Sequence, residues 1–377
     1  MRFKTAGLRI FIAFSLSSCC LFAPIRSVAA QAPTVAGQTV DTTGTKEERG
    51  SLVVAPLPIV SPAIGNGIVP VVAYIFPFQV RDTVSPPSVI AAAGLFTDNG
   101  SRAGAIGADL FMKENRYELM SFYLYGKLDY NLYNEGNLDI KLPLEQDGQF
   151  FSVKFLRNIG KRVFVGGRFM TGSSVVRVKP SEGETPPIPP DTGLKTHLRA
   201  VGLEAFRDSR PDRFYPRKGS LFEFSANFFA EGLGSKYSFQ SYQGSFSKYE
   251  SLGKKHVLAY NGYFCATTGE PPFYGNCIYG AGNQLRGYTA GRFLDRYMLA
   301  SQMEYRVELK WRLGLVGFGG LGGVIPGEDQ PRTKQFLPAG GTGIRFLMSQ
   351  KYHVNLRTDF AWGKGNFTWS MSMGEAF

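Results

Sequence analysis

Histidine is nearly absent from this 377-residue chain: His197, His256 and His353 are the three, each isolated in sequence. Imidazole-based catalysis and metal binding need partners at set spacings. The sequence also lacks G-x-S-x-G, H-E-x-x-H and the P-loop. No enzyme chemistry, catalytic residue, metal or cofactor is therefore expected. Cysteine is sparse too. Cys19 and Cys20 lie in the first thirty residues, leaving Cys265 and Cys277, twelve positions apart. A zinc site would need more ligands than this pair offers, whereas an oxidising compartment would join the two as a disulfide.

Charge is the next shortage, at 19% of residues. Lys and Arg exceed Asp and Glu by 12, but the cations are scattered singly and form no run. That excludes the footprint of a nucleic-acid binder; such cations suit a barrel lumen or anionic lipid head groups. Long uninterrupted apolar stretches are missing as well. Residues 51–80 carry no charge, yet Pro56, Pro58, Pro62, Pro70 and Pro77, with Gly65 and Gly67, break any membrane helix there. A hairpin with the turn SPAIGNG fits instead, its prolines near a seam where a ladder bond can be spared.

Aromatic residues, at 14%, and 45 glycines are abundant. The N-terminus has a basic start (Arg2, Lys4, Arg9), an apolar stretch Ile10–Leu21 and small residues Val28-Ala29-Ala30, the pattern of a signal peptide over residues 1–30. A competing reading takes Leu16-Ser17-Ser18-Cys19 as a loose lipoprotein box, although the chain stays apolar after Cys20. Removing residues 1–30, which hold four cations and no acid, lowers the net charge from +12 to +8. Residues 31–50 read as a flexible linker.

Beyond Ser51 one texture persists. Phe222, Phe224, Ala226 and Phe228 alternate with Glu223, Ser225 and Asn227; Tyr297, Leu299, Met303 and Tyr305 oppose Gln302, Glu304 and Arg306. Val354, Leu356, Phe360 and Trp362 likewise oppose His353, Asn355, Arg357 and Asp359. So many one-sided strands, with no amphipathic helix to cover them, predict an all-β fold. It is a transmembrane antiparallel β-barrel of about 16 strands over residues 51–377, apolar outside and polar inside. Lipid requires the sheet to close. The strands are expected to begin at Ser51, Gly67, Ser88, Ala103, Tyr117, Glu145, Arg162, Leu194, Ser220, Tyr237, Lys255, Asp295, Trp311, Phe336, Tyr352 and Asn366. Parity makes the long connections 177–193 and 268–294 extracellular and short ones such as 158–161 periplasmic. The last strand spaces Phe367, Trp369, Met371 and Met373 by two and ends on Phe377, the aromatic terminus of many outer-membrane barrels; Glu375 on the same face weakens that match.

Two segments carry a resemblance. Asp208-Ser209-Arg210-Pro211-Asp212-Arg213-Phe214-Tyr215-Pro216-Arg217-Lys218-Gly219 reads as a periplasmic turn in which Asp208 bonds Arg210 or nearby amides. Leu285-Arg286-Gly287-Tyr288 lies inside a long connection, just before a strand bearing Glu304. Together they resemble the BamA/TamA superfamily of outer-membrane assembly and translocation barrels, the bacterial surface antigens. The resemblance implies a loop folded back into the lumen, with Arg286 paired to an inward acid, Glu304 or Asp359. It departs at Val316–Gly323, where the family's following aspartate is missing. It covers the barrel alone, since residues 31–50 cannot hold a periplasmic POTRA module; a short, POTRA-less branch is expected. It further implies an integral outer-membrane protein that inserts or translocates proteins, or perturbs lipid, by opening between its first and last strands. The implied partners are outer-membrane lipids, nascent outer-membrane or secreted proteins and a separate periplasmic module. A passive channel or structural barrel is the alternative.

Overall fold

The computed structural model describes residues 50–61, 64–79, 82, 84–134, 137–179, 194–272, 275–279, 284–289, 292–325, 335–349 and 353–377. The expected signal peptide, Cys19, nearly all of the linker and much of the connection 177–193 lie outside them. β1 spans Ser51–Ser61, β2 Gly65–Phe76, β3 Ser88–Thr97, β4 Arg102–Met112, β5 Tyr117–Asn134 and β6 Asn137–Gly160. β7 is Val163–Val178, β8 Leu194–Asp208, β9 Gly219–Phe229, β10 Phe239–Ser251 and β11 His256–Gly269. Two short strands follow, β12 (Cys277–Ile278) and β13 (Leu294–Asp295), which pair only with each other. β14 is Tyr297–Glu308, β15 Leu313–Ile325, β16 Gln335–Ser349, β17 Val354–Gly363 and β18 Asn366–Met373. Sixteen of these strands, all but β12 and β13, form a closed antiparallel barrel in which each pairs with its chain neighbour and β1 meets β18.

Alternation sets the two faces. Along β14, Tyr297, Leu299, Met303 and Tyr305 are exposed on the outside, while Gln302, Glu304 and Arg306 are buried in the lumen. The same parity puts Phe222 and Phe228 outside and Ser225 and Asn227 inside on β9. Several expected starts are corrected, with β2 beginning two residues early at Gly65 and β10 and β15 two residues late at Phe239 and Leu313. The twelfth barrel strand begins at Tyr297, because Leu294 and Asp295 belong to the β12–β13 ribbon. β6 begins at Asn137 rather than Glu145. β5 and β6, at 18 and 24 residues, far exceed the roughly 9–11 needed to cross a bilayer. Their outer row past the lipid belt turns charged, with Lys127 bonded to Glu145 at 2.6 Å and Arg177 to Asp147 at 2.6 Å. That charge hides the apolar alternation.

The seam is unlike the other ladders. All eleven residues of β1 have a partner on β2, but among the described residues the β1–β18 register holds one pair, Val60↔Met371. Continued downward, that register would set Gly374 opposite Leu57 and Phe377 opposite Val54. Instead β18 ends at Met373, Gly374 takes a left-handed φ of 80°, and Glu375 turns inward to bond Arg345 at 2.9 Å and Asn355 at 2.7 Å. The expectation that Phe377 closes the lipid-facing row is therefore corrected: Trp369 faces outward, whereas Phe377 lies beside Tyr249, ring centroids 6.4 Å apart. The carboxylate of Glu375 is better satisfied by lumen cations than by hydrocarbon, and the aromatic follows it. Prolines thin the same edge. Pro56 faces Pro70, and the β2–β3 register omits Val69 and Pro70, so Pro70 aims its donorless nitrogen at β3. The nitrogens of Pro56 and Pro58 therefore point away from β2, toward β18.

Candidate functional site

The connection from β11 to β14 folds back into the barrel. Cys265, inward on β11, is disulfide-bonded to Cys277, with Cα atoms 5.8 Å apart. This fixes the start of the loop to the wall. Cys277↔Asp295 and Ile278↔Leu294 then pair its two arms. The tip packs into a buried apolar cluster containing Tyr279, Leu285, Tyr288, Phe293, Met298, Val324 and Leu337. Room for it comes from glycines on β15. A Cβ on Gly320 would stand 2.6 Å from Leu285 Cδ1, and one on Gly322 would overlap the Tyr279 hydroxyl. Gly287, at φ 107°, presses its backbone on β17, where a Cβ would meet the Trp362 carbonyl carbon at 2.9 Å. Tyr288 donates its hydroxyl to the Pro338 carbonyl at 2.6 Å and accepts the Lys364 amide at 3.1 Å.

Arg286 crosses the lumen to two acids on different strands. Its Nη2 lies 2.6 Å from Glu304 Oε2 on β14, and its Nη1 2.9 Å from Asp359 Oδ2 on β17. Gln302 Oε1 accepts from Nε and Nη2 at 3.3 Å. The guanidinium also lies over the Phe318 ring, 3.5 Å from its centroid. The segment Val316–Gly323, which has no acid, thus supplies an aromatic face to the arginine and clearance for the loop. A cation over a ring face in a desolvated site is a favourable pairing.

The cluster is larger than the sequence motif. Arg345 bonds Asp359 at 2.7 Å and lies 3.7 Å from Glu304. Arg306 bonds Glu304 at 2.6 Å and sits 3.6 Å from Glu375. Arg357 lies 3.6 Å from Asp359 and donates to Ser372 on β18. Four guanidiniums and three carboxylates are thus packed together, each acid reached by at least two cations. Buried charges persist only with such compensation.

The turn motif joins this network from one rim. Asp208 receives a forked contact from Arg210 at 2.9 and 3.0 Å. Asp212 accepts the amides of Phe214 and Tyr215 and bonds His353 at 2.8 Å. Pro216 is buried, and Gly219 takes φ 96° where a Cβ would meet the Ser209 carbonyl at 2.8 Å. Arg306 is ringed by Tyr215, Tyr249 and Phe377, 6.0, 5.8 and 5.7 Å from their centroids. Burial, with Glu375 and Glu308 nearby, pushes the Tyr215 hydroxyl well above its ordinary value. The two sequence motifs therefore meet through Glu304 and Arg306. Sequence reasoning missed Arg345, Glu375, Tyr249, Phe318 and the clearing role of the β15 glycines. Inward parity on β16 and the G-F-G-G-L-G-G run were the available signals.

The Omp85 superfamily domain model matches residues 113–377. No curated protein matches the chain by sequence. Among solved structures it is similar to BamA from Haemophilus ducreyi lacking POTRA domains 1-3, with TM-score 0.58 and 13% identity over 94% of this chain and 78% of that one. CdiB from Escherichia coli gives 0.59 and 10%, covering 88% of this chain and 68% of its own. CdiB from Acinetobacter baumannii gives 0.55 and 12%, over 85% and 59%. At these identities the likeness is one of fold.

Proposed function

Because this chain belongs to the Omp85 superfamily, we propose that it is an outer-membrane barrel that assists insertion or translocation of other proteins by parting β1 from β18. The observation that carries this reading is the seam, held in register at Val60↔Met371 while the neighbouring β1–β2 ladder is complete. Parting it sacrifices few backbone bonds, whereas opening any other ladder would strand a full row of polar groups in lipid. The usual asymmetry of these barrels puts the rim where β1 begins and β18 ends in the periplasm. The long connections then lie outside. Nascent barrel or secreted proteins, surrounding lipid and a separate periplasmic module are the partners this reading calls for.

The test is a reversible staple. Val60→Cys with Met371→Cys places two thiols opposite each other across the seam. Full-length protein in liposomes should accelerate insertion of an unfolded client barrel. The oxidised double variant should lose that acceleration and recover it on reduction, with reduced wild type as the control for the native disulfide. Undiminished insertion by the stapled barrel would overturn the mechanism. Steady ungated conductance without insertion activity would establish the passive channel instead.

A further inference from the structure

All eight described non-glycine residues with a left-handed backbone lie at one rim, the one where β1 begins and β18 ends. They are Lys113, Glu114, Asn115, Lys161, Arg162, Trp311, Arg312 and His353. Two-residue hairpins demand this conformation, and Asn-Gly or Asp-Gly meets it without a steric penalty. The opposite rim follows that rule in its described tight turns, with Gly100 after Asp98-Asn99 and Gly365 after Lys364. At the first rim two hairpins use Lys161-Arg162 and Trp311-Arg312 instead, while the third, before Lys254-Lys255, has Gly253 at φ 77°. A left-handed site is disfavoured for any side chain bearing a Cβ, so these side chains are kept against backbone preference.

Exposed cations gather at three hairpins of this rim, two of them with left-handed tips. Lys161, Arg162, Lys254, Lys255, Lys310 and Arg312 are all exposed. Each pair sits beside outward apolar residues of the same hairpin: Ile159 (61% exposed), Leu252 (47%), and Leu309, Trp311 and Leu313 (46, 88 and 43%). Apolar side chains directly below and cations at the tip match the level where acyl chains give way to phosphates. These hairpins close β6 to β7, β10 to β11 and β14 to β15, so they follow the circumference. A lamellar surface surrounds a barrel in that way, whereas a soluble acidic protein would meet the rim along the axis.

We propose that this rim is a binding surface for the phosphate head groups of anionic phospholipids in the adjoining leaflet. Each turn offers a cation pair to the phosphates and an aliphatic or indole group to the chains beneath. The inference rests on the barrel spanning a bilayer and is independent of seam opening.

The experiment uses the full chain in phosphatidylcholine bilayers containing spin-labelled phosphatidylglycerol or spin-labelled phosphatidylcholine as probe. Both probes should show a motionally restricted boundary fraction, which establishes insertion. The phosphatidylglycerol probe should be enriched at the boundary by about threefold or more, as expected for several cations near a charged interface, and the enrichment should fall with added salt. The variant carrying Lys161→Asn, Arg162→Gly, Lys310→Asn, Trp311→Asn and Arg312→Gly should lose most of it. Because these replacements suit the turns, heat-modifiable migration should be kept, separating lipid selectivity from folding. Equal restriction of both probes by the wild type, or an unchanged preference in the variant, would overturn the proposal. The first result would point to a soluble acidic partner for the rim.

Discussion

Arg286 has four partners at once: Glu304, Asp359, Gln302 and the face of Phe318. Truncating one member of a buried charge pair costs about 3–5 kcal/mol. Arg345 contacts both acids and softens the loss on their side, but the loop loses its charged tether and keeps only its disulfide, apolar tip and hydrogen bonds. Arg286→Ala should therefore raise protease cleavage within 275–296 and increase leak conductance in planar bilayers. Arg286→Lys should restore only part of either, since an ammonium cannot fork between two strands. Glu304→Gln alone leaves Asp359 in contact with the arginine, and Asp359→Asn leaves Glu304. The double variant should release the loop by more than the two single effects combined, a coupling a double-mutant cycle can read. Unchanged proteolysis and conductance in Arg286→Ala would mean the loop is held by its apolar cluster and disulfide. Gly287→Ala tests the neighbouring contact; its Cβ has no room against β17, so the tip should loosen with the charges intact.

At the scale of elements, the loop is held by three independent fasteners: the disulfide, the charge cluster and the apolar tip. Closing a loop of this length covalently stabilises it by about 3 kcal/mol. Differential alkylation of unreduced protein should label neither Cys265 nor Cys277. Reduction should expose the loop to protease yet leave the barrel's gel migration unchanged, because no wall ladder depends on the bridge. The seam strand yields a separate prediction. Pro58→Val would restore a donor next to the Val60↔Met371 pair, lengthening the ladder by one bond worth about 0.5–1.5 kcal/mol net. Client insertion should slow in that variant, and an unaltered rate would show that the edge is already open at Pro58. The elements also mark where sequence reading works. Strands with lipid on one side and water on the other announce themselves by period, and β3, β5, β8 and β18 begin where alternation sets them. β6 runs eight residues beyond its expected start because past the bilayer its outward row turns charged, at Glu145 and Asp147, while the inward row, with Leu144 buried, stays apolar. The inward tail after Met373 escaped because its cause, Arg306 and Arg345 on β14 and β16 with Asn355 on β17, is not local. Three members of the charge cluster, Arg286, Glu304 and Asp359, were legible from a motif and a parity. Arg345 and Glu375 become visible only once β16 and the tail are folded around them.

The whole molecule should behave as a closed cylinder. Unboiled samples should migrate apart from boiled ones on detergent gels, and carbonate washing should leave the protein in the membrane; release by carbonate would contradict a spanning barrel. The cylinder is not evenly braced. The loop ties together β14, β15, β16 and β17, and reaches the β17–β18 turn through Arg292 to the Gly365 carbonyl and β18 through Asn366 to Thr289. β1, β2 and β3 meet at a small cluster of Val53, Ala73 and Val89, with none of these struts among the described residues. A tube stiffened along one side and slit beside the stiffening does not open symmetrically. In the proposed opening the braced lip, β18, would stay in place, and the compliant lip, β1, would swing away with its hairpin partner. An emerging strand would find a stationary template on one side of the slit and a yielding flap on the other. Amide exchange in the resting protein should record the same division, fast across β1–β3 and slow across β14–β17.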